Sequence, residues 1–168
     1  MSGIRGLHHN AYRCRDSEET RQFYEGFLGL PLAATLDLSQ TKTGRPVRAL
    51  HTFYEMDDGS YLAFFEVPGE PHEFVDQHDF DLHIALEVTR EHLRAMFEKG
   101  NALGHEPRGI TDHEFIESIY FRDPNGYVIE LTAKLDNHDE RTDNERNDAR
   151  GILDRWQAEK RDADASAG

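Results

Sequence analysis

Apolar and polar residues alternate through Leu7-His8-His9-Asn10-Ala11-Tyr12-Arg13-Cys14, the period of a strand with one buried face. The period then changes. Asp16, with Glu19 three residues later, is a capping-box pattern for a helix start, and Phe23, Tyr24, Phe27 and Leu28 recur at the spacing of one helical face. Gly29 follows in the C′ position. The same order returns in the second half: Leu82 to Val88 reads as a strand, Thr89 as an N-cap, and Leu93, Met96 and Phe97 as the buried face of a second helix that should stop at Gly100. Later strands repeat as well, His51 to Gly59 matching Ser118 to Gly126. Both read strand, tight turn, strand, with aspartate and glycine supplying the left-handed turn geometry, and Tyr61 to Val67 and Tyr127 to Thr132 continue as strands. Each half is therefore βαβββ. A half of about 60 residues buries too little surface to stand alone, so the two are expected to pair edge to edge around a shared concavity.

The pattern breaks after Leu135. Residues 1–135 read as one domain, with modules at about 5–68 and 80–133, and 136–168 as a charged C-terminal extension. The extension holds ten acids and six bases, and its only large apolar residues are Ile152, Leu153 and Trp156. Their spacing predicts a short helix docked on the body or on a second subunit, with the rest solvated and without fixed structure.

Charge narrows the partners. In 168 residues, 19 Lys and Arg stand against 33 Asp and Glu, for a net charge of −14, which disfavours nucleic acid and anionic membrane surfaces. No run approaches the ~18 apolar residues of a membrane span, and the start MSGIRGLHHN lacks a signal peptide's apolar stretch, so a cytoplasmic protein is expected. The single cysteine, Cys14, has no partner for an internal disulfide and reads as reduced packing filler.

The repeat also places chemistry. His9 and His83 occupy the same position in the first strand of each half, and Glu130 falls four residues after Gly126 in the apolar run Tyr127-Val128-Ile129-Glu130-Leu131. A buried carboxylate there is costly unless paired, and a divalent cation shared with the two imidazoles offsets that cost as a 2-His-1-carboxylate site with open positions. For either imidazole alone, a core histidine satisfied by a carbonyl is the alternative. His8 points to the opposite face by strand alternation and reads as a surface or subunit-contact residue.

These residues carry a resemblance. The run from His9 to Asp16, Phe23-Tyr24, Leu28-Gly29-Leu30, His83-Ile84-Ala85-Leu86 and Asp123-Pro124-Asn125-Gly126-Tyr127-Val128-Ile129-Glu130 resembles the vicinal oxygen chelate superfamily over about residues 5 to 133. That superfamily includes glyoxalase I, methylmalonyl-CoA epimerase, fosfomycin-resistance thiol transferases, bleomycin-binding proteins and type I extradiol dioxygenases. The resemblance implies an α+β fold, two paired βαβββ modules forming an open, U-shaped mixed β-barrel around a divalent metal, with His9, His83 and Glu130 as ligands. A homodimer is implied too.

Aligning Gly59 with Gly126 puts Ala63 opposite Glu130, so the fourth ligand position that glyoxalase I and the epimerase fill is empty. Glu66, three residues on, faces away and reads as an edge or interface charge. The closest resemblance is to a single-domain extradiol dioxygenase, whose signature is matched by His113, then Ile119-Tyr120, the Asp123-Pro124-Asn125-Gly126 turn, and Glu130. By that resemblance His113 and Tyr120 would hydrogen-bond the oxygens of an aromatic diol and stabilise the charge that develops on reaction with dioxygen, with Fe(II) as the metal and Zn, Ni or Mn as alternatives. Such enzymes carry a further acid-base histidine, where this chain reads Gly59-Ser60-Tyr61. His51, one strand away, is the candidate to replace it, with His72 and His78 of the connecting loop behind it. The loop Pro68 to Asp81 reads as a lid or as a mobile linker. Phe53, Phe64, Phe65 and Phe115 are candidates to line an apolar pocket, and the Arg45, Arg48, Arg108 and Arg122 side chains are too scattered in sequence to show a phosphonate site. Another metalloenzyme of the same scaffold (lyase, isomerase or thiol transferase) and a metal-free binding protein are the competing readings.

Overall fold

A computed structural model describes residues 3–166. Its elements run β1 (Tyr12–Arg13), α1 (Ser17–Arg21), β2 (Leu32–Gln40), β3 (Pro46–Glu55), β4 (Tyr61–Glu66), β5 (His83–Glu87), α2 (Arg90–Leu103), β6 (Arg108–Asp112), β7 (Ile116–Arg122), β8 (Val128–Lys134), α3 (His138–Thr142) and α4 (Ala149–Ser166). The strands form two four-stranded sheets, β1-β4-β3-β2 and β5-β8-β7-β6, so each βαβββ half has the same internal order. In the first sheet β1 runs parallel to β4 and the other pairs are antiparallel. The chain folds as two compact units, residues 1–84 with 121–129, and residues 85–120 with 130–168.

In the first unit, Asp16 caps α1 by accepting the N–H groups of Glu18 and Glu19, each at 2.8 Å. A π-helical stretch, Gln22–Phe27, carries the helix onward and turns Phe23, Tyr24 and Phe27 inward. Gly29 then takes φ +88°, as expected of a C′ residue, and Leu30 N–H returns to the Tyr24 carbonyl. Tyr24 packs on Phe64 (ring centroids 4.6 Å) and Tyr54 (5.5 Å), so one face of β3 and β4 is sealed by the helix. The opposite face of the same strands, by alternation, carries His51, Phe53, Tyr61, Ala63 and Phe65.

The tip of the β7–β8 hairpin belongs to this unit. Asp123 is buried and accepts four hydrogen bonds, from Asn125 N–H (2.9 Å), Tyr127 N–H (2.8 Å), Asn125 Nδ2 (3.0 Å) and the Tyr24 hydroxyl (3.0 Å). Gly126 has φ +93°, and a Cβ there would stand 2.3 Å from the Val75 carbonyl oxygen. Glycine is required twice over, by conformation and by space. The backbone of the loop Pro68 to Asp81, expected as a lid or a mobile linker, is tied at several points to the unit it runs along. Arg13 donates to the Val67 and Glu70 carbonyls, Gln77 N–H donates to the Gly126 carbonyl at 2.9 Å, and Arg122 donates to the Gln77 carbonyl at 3.1 Å.

In the second unit Thr89 caps α2 by accepting the His92 N–H. The helix does not stop at Gly100. It continues one turn, and Gly104 takes the left-handed conformation at φ +76°. The extension is also more ordered than its composition suggests: α4 runs for 18 residues, supported by pairs such as Arg150–Asp154 at 3.0 Å. Its apolar residues are not docked on the body, since Ile152, Leu153 and Trp156 remain 60%, 49% and 61% exposed. No helix among the described residues is long and apolar enough to cross a membrane.

Candidate functional site

Each unit gathers a cluster of the residues singled out from the sequence. In the first unit, strand β3 places His51 in a sandwich of rings, stacked on Phe65 at 3.6 Å with the planes 3° apart and 4.2 Å from Phe53. Its ring lies 6.3 Å from that of His9. His51 Nδ1 donates to the Phe64 carbonyl at 3.0 Å, which leaves Nε2 as the lone-pair nitrogen. Burial lowers the pKa of this imidazole from its usual 6.5, and nearby His9 adds a smaller push in the same direction. His72 and His78 pair with rings of their own loop, Phe74 at 4.6 Å and Phe80 at 5.2 Å.

His9 sits at the mouth of β1, bridged to Tyr61. The expectation that His8 turns to the opposite face fails here, because the Nδ1 atoms of His8 and His9 are 2.8 Å apart. Pairing at this point is a single isolated bridge, and the continuous strand β1 is confined to Tyr12–Arg13. His83 Nδ1 lies 2.6 Å from the Asp79 carbonyl oxygen, a contact that fixes its proton on Nδ1 and its lone pair on Nε2. Glu66 is not a loose edge charge either: its Oε2 accepts the Ser17 N–H at 2.8 Å and so steadies the start of α1.

The second unit brings together His113, Tyr120 and Glu130. The Tyr120 hydroxyl donates to Glu130 Oε1 at 3.2 Å, and His113 Nε2 lies 2.8 Å from the same hydroxyl. A phenol has one hydrogen, so with that hydrogen given to the carboxylate, His113 meets the oxygen with its Nε2–H. Glu130, on β8, is 4% exposed. His113 is held by its own strand turn, its N–H donating to the Ile116 carbonyl. Arg108, opposite Tyr120 in the β6–β7 register, lies over the phenol ring at 5.4 Å. The sequence singled out Arg108 only as one of four scattered arginines, because its contact with Tyr120 depends on a strand register that local pattern does not set. Arg45 pairs with Glu70 at 2.7 Å, and Arg122 donates to the Gln77 and Gly126 carbonyls.

The aromatic candidates separate. Phe64 is core beneath Tyr24, Phe53 and Phe65 flank His51, and Phe115 lies 5.9 Å from His138. A cavity of about 210 Å³ in the first unit is lined by Arg13, Cys14, Arg15, Glu66, His72 and Phe74, among others, and includes none of His9, His51, His83, His113, Tyr120 or Glu130.

Among the described residues, no three His, Cys, Asp or Glu side chains stand grouped as a ready metal cluster. The three ligands expected from the sequence divide between the units, His9 and His83 in the first and Glu130 in the second. Taken one by one, each is a donor of the type that divalent transition metals accept: the His9 and His83 imidazoles have their Nδ1 atoms engaged, and Glu130 is a buried carboxylate with a phenol on one oxygen.

Residues 6–131 match the model of the Glyoxalase/Bleomycin resistance protein/Dioxygenase superfamily. The chain belongs to this superfamily. Its α+β architecture, with the same strand order in two sheets, is the superfamily's vicinal oxygen chelate fold. Most superfamily members are metal-dependent enzymes. Solved structures with the fold include a glyoxylase/bleomycin resistance protein/dioxygenase domain from Frankia sp. EAN1pec (16% identity, TM-score 0.64, covering 82% of this chain and 97% of that one). A second is a mutant of the fosfomycin resistance protein FosX from Listeria monocytogenes, complexed with Mn(II) and dihydroxypropylphosphonic acid (22%, 0.59, 80% and 96%). A third is a glyoxalase/dioxygenase from Nostoc punctiforme (21%, 0.59, 80% and 94%). At these identities the likeness is one of fold. No curated protein matches the chain.

Proposed function

We propose that the protein is a metal-dependent, extradiol-type ring-cleavage dioxygenase acting on a catechol-like aromatic diol. The observation that carries the reading is the hydrogen-bonded line His113–Tyr120–Glu130, which joins two signature residues of that branch to the carboxylate expected to bind the metal. His9, His83 and Glu130 would hold Fe(II), which when bound supplies a Lewis acid for the diol and one-electron chemistry toward dioxygen. Ala63 leaves the fourth protein position unfilled. In the overall reaction both atoms of dioxygen enter the product as the bond beside the diol is cleaved.

The chain's own residues supply the proton control. The His113 N–H and the Tyr120 O–H, given in the free protein to the phenol oxygen and to Glu130, would turn to a diol oxygen on binding and stabilise its negative charge. Tyr120 also orients Glu130, so its hydroxyl serves the ligand and the substrate in turn. His51, held neutral by burial with its lone pair on Nε2, is the candidate base for a diol proton. Phe53 and Phe65 supply the apolar surface beside it.

The test is metal content of protein purified without oxygen from metal-replete cells, followed by oxygen uptake across a catechol panel. The expected result is near-stoichiometric iron that is lost in His9→Ala and Glu130→Ala, with turnover reduced by about 100-fold or more in His113→Ala. Zinc, nickel or manganese in place of iron would overturn the dioxygenase reading in favour of an isomerase, lyase or thiol transferase. No metal in any of the proteins would favour a small-molecule binding protein. A homodimer is the proposed assembly, tested by light scattering at several concentrations.

A further inference from the structure

We propose that His8 is a positioning residue that presets His9 as a metal ligand. The inference rests on the reading of His9 as a ligand and deepens it. The two imidazoles are edge to face, with centroids 5.0 Å apart, planes at 78° and a separation of 2.8 Å between their Nδ1 atoms. One of those nitrogens must carry the hydrogen and the other must accept it. When His9 donates, its Nδ1 is the protonated nitrogen and its lone pair lies on Nε2, the form in which a neutral imidazole binds a metal through Nε2.

His8 is itself anchored. Its carbonyl accepts the Tyr61 N–H at 2.9 Å, and its ring lies 5.7 Å from that of Tyr61. His9 is confined on its other side by Phe53, at 5.5 Å and 61°. The His9 ring is thus held by a hydrogen bond and an aromatic edge, on a backbone fixed by a single isolated bridge to Tyr61. His83 reaches the same tautomer by a different route, through the Asp79 carbonyl. A backbone carbonyl is a fixed acceptor, whereas at position 9 the acceptor is a side chain, so one substitution can remove it.

The experiment titrates Co(II) into the full-length metal-free protein and its His8→Ala, His8→Gln and His9→Ala variants, alongside ¹⁵N imidazole shifts of the metal-free proteins. Outer partners of ligating histidines typically change metal affinity 10–100-fold, so His8→Ala should weaken Co(II) binding by about that factor. Before any metal is added, His9 should pass from one tautomer to a mixture in this variant. His8→Gln, whose side-chain oxygen can accept the same hydrogen, should recover most of the affinity, and His9→Ala should lose it. His8 is exposed, so these variants should keep the wild-type melting temperature. Unchanged affinity and an unchanged His9 tautomer in His8→Ala, with binding lost in His9→Ala, would overturn the role of His8 and leave the ligand reading standing. Full affinity in His9→Ala would overturn both.

Discussion

The hydroxyl of Tyr24 donates to the carboxylate of Asp123 at 3.0 Å, across 99 residues of sequence. Both groups are buried, and the bond ties the first helical segment to the turn that leads into Glu130. Burial raises the Asp123 pKa even though four donors act to lower it. Removing one donor exposes that imbalance. Tyr24→Phe keeps the ring packing and should cost about 2 kcal/mol, the range for a hydrogen bond to a charged group, measured as a shift in the urea midpoint at unchanged slope. An unchanged midpoint would show that the bond contributes nothing.

Gly126 is the second support of the same turn. Gly126→Ala would force a side chain into a left-handed conformation and against the Val75 carbonyl, so the linking loop must lift. The expected outcome is a loss of at least about 1 kcal/mol together with faster proteolysis within residues 68–82. Gly59→Ala, where φ is +78° and nothing lies within 4 Å of the added Cβ, is the control. It should lose stability without opening the loop.

Cys14 is 3% exposed, and burial raises its thiol pKa above the ordinary 9.0, with the Ser17 and Thr20 hydroxyls pulling weakly the other way. The thiolate is the reactive form. Labelling by a disulfide reagent at pH 7.5 should therefore be at least about 100-fold slower in native protein than in urea. Equal rates would place the thiol at the surface.

His51 gives stability a dependence on acid. Its folded pKa is depressed below 6.5, so between that folded value and 6.5 the unfolded chain binds more protons. Stability is full above about pH 6.5 and falls as the pH drops through the folded value. His51→Gln should flatten that limb of the stability curve. A variant whose curve superimposes on that of the wild type would assign the limb to other groups.

Local pattern revealed those parts of the molecule that local forces build. Asp16, Gly29 and Thr89 are punctuation whose chemistry acts within a few residues, and each stands where its side chain or lack of one demands. Repeats exposed the two sheets because Gly59 and Gly126 must both turn a hairpin. What escaped was set by distance. Tyr24 and Asp123 meet through tertiary packing, Arg108 meets Tyr120 through a strand register, and the rings of His8 and His9 meet where the pairing is one isolated bridge to Tyr61 and not a continuous strand. Gly100 was misread as a stop because a helix interior can hold a glycine on its buried face. The last helix was underestimated because charges that look merely solvated in composition support one another at four-residue spacing. Of the candidate site, the spacing in sequence named His113, Tyr120 and Glu130, which the structure brings into contact, and the hydrogen bonds among them and around the histidines were not legible.

Ala63 has one more consequence, for the protein's descent. The residue is fully buried, its N–H is held by Asn10 Oδ1 at 3.1 Å, and Phe53 faces it across the strand pair. A mutation that wrote glutamate into codon 63 would push a charged chain into space already filled, and would be purged for instability before any new chemistry could be selected. A carboxylate at this position therefore needs a permissive change first, such as a smaller residue at Phe53. Until that happens, position 63 stays closed to selection for a charged side chain.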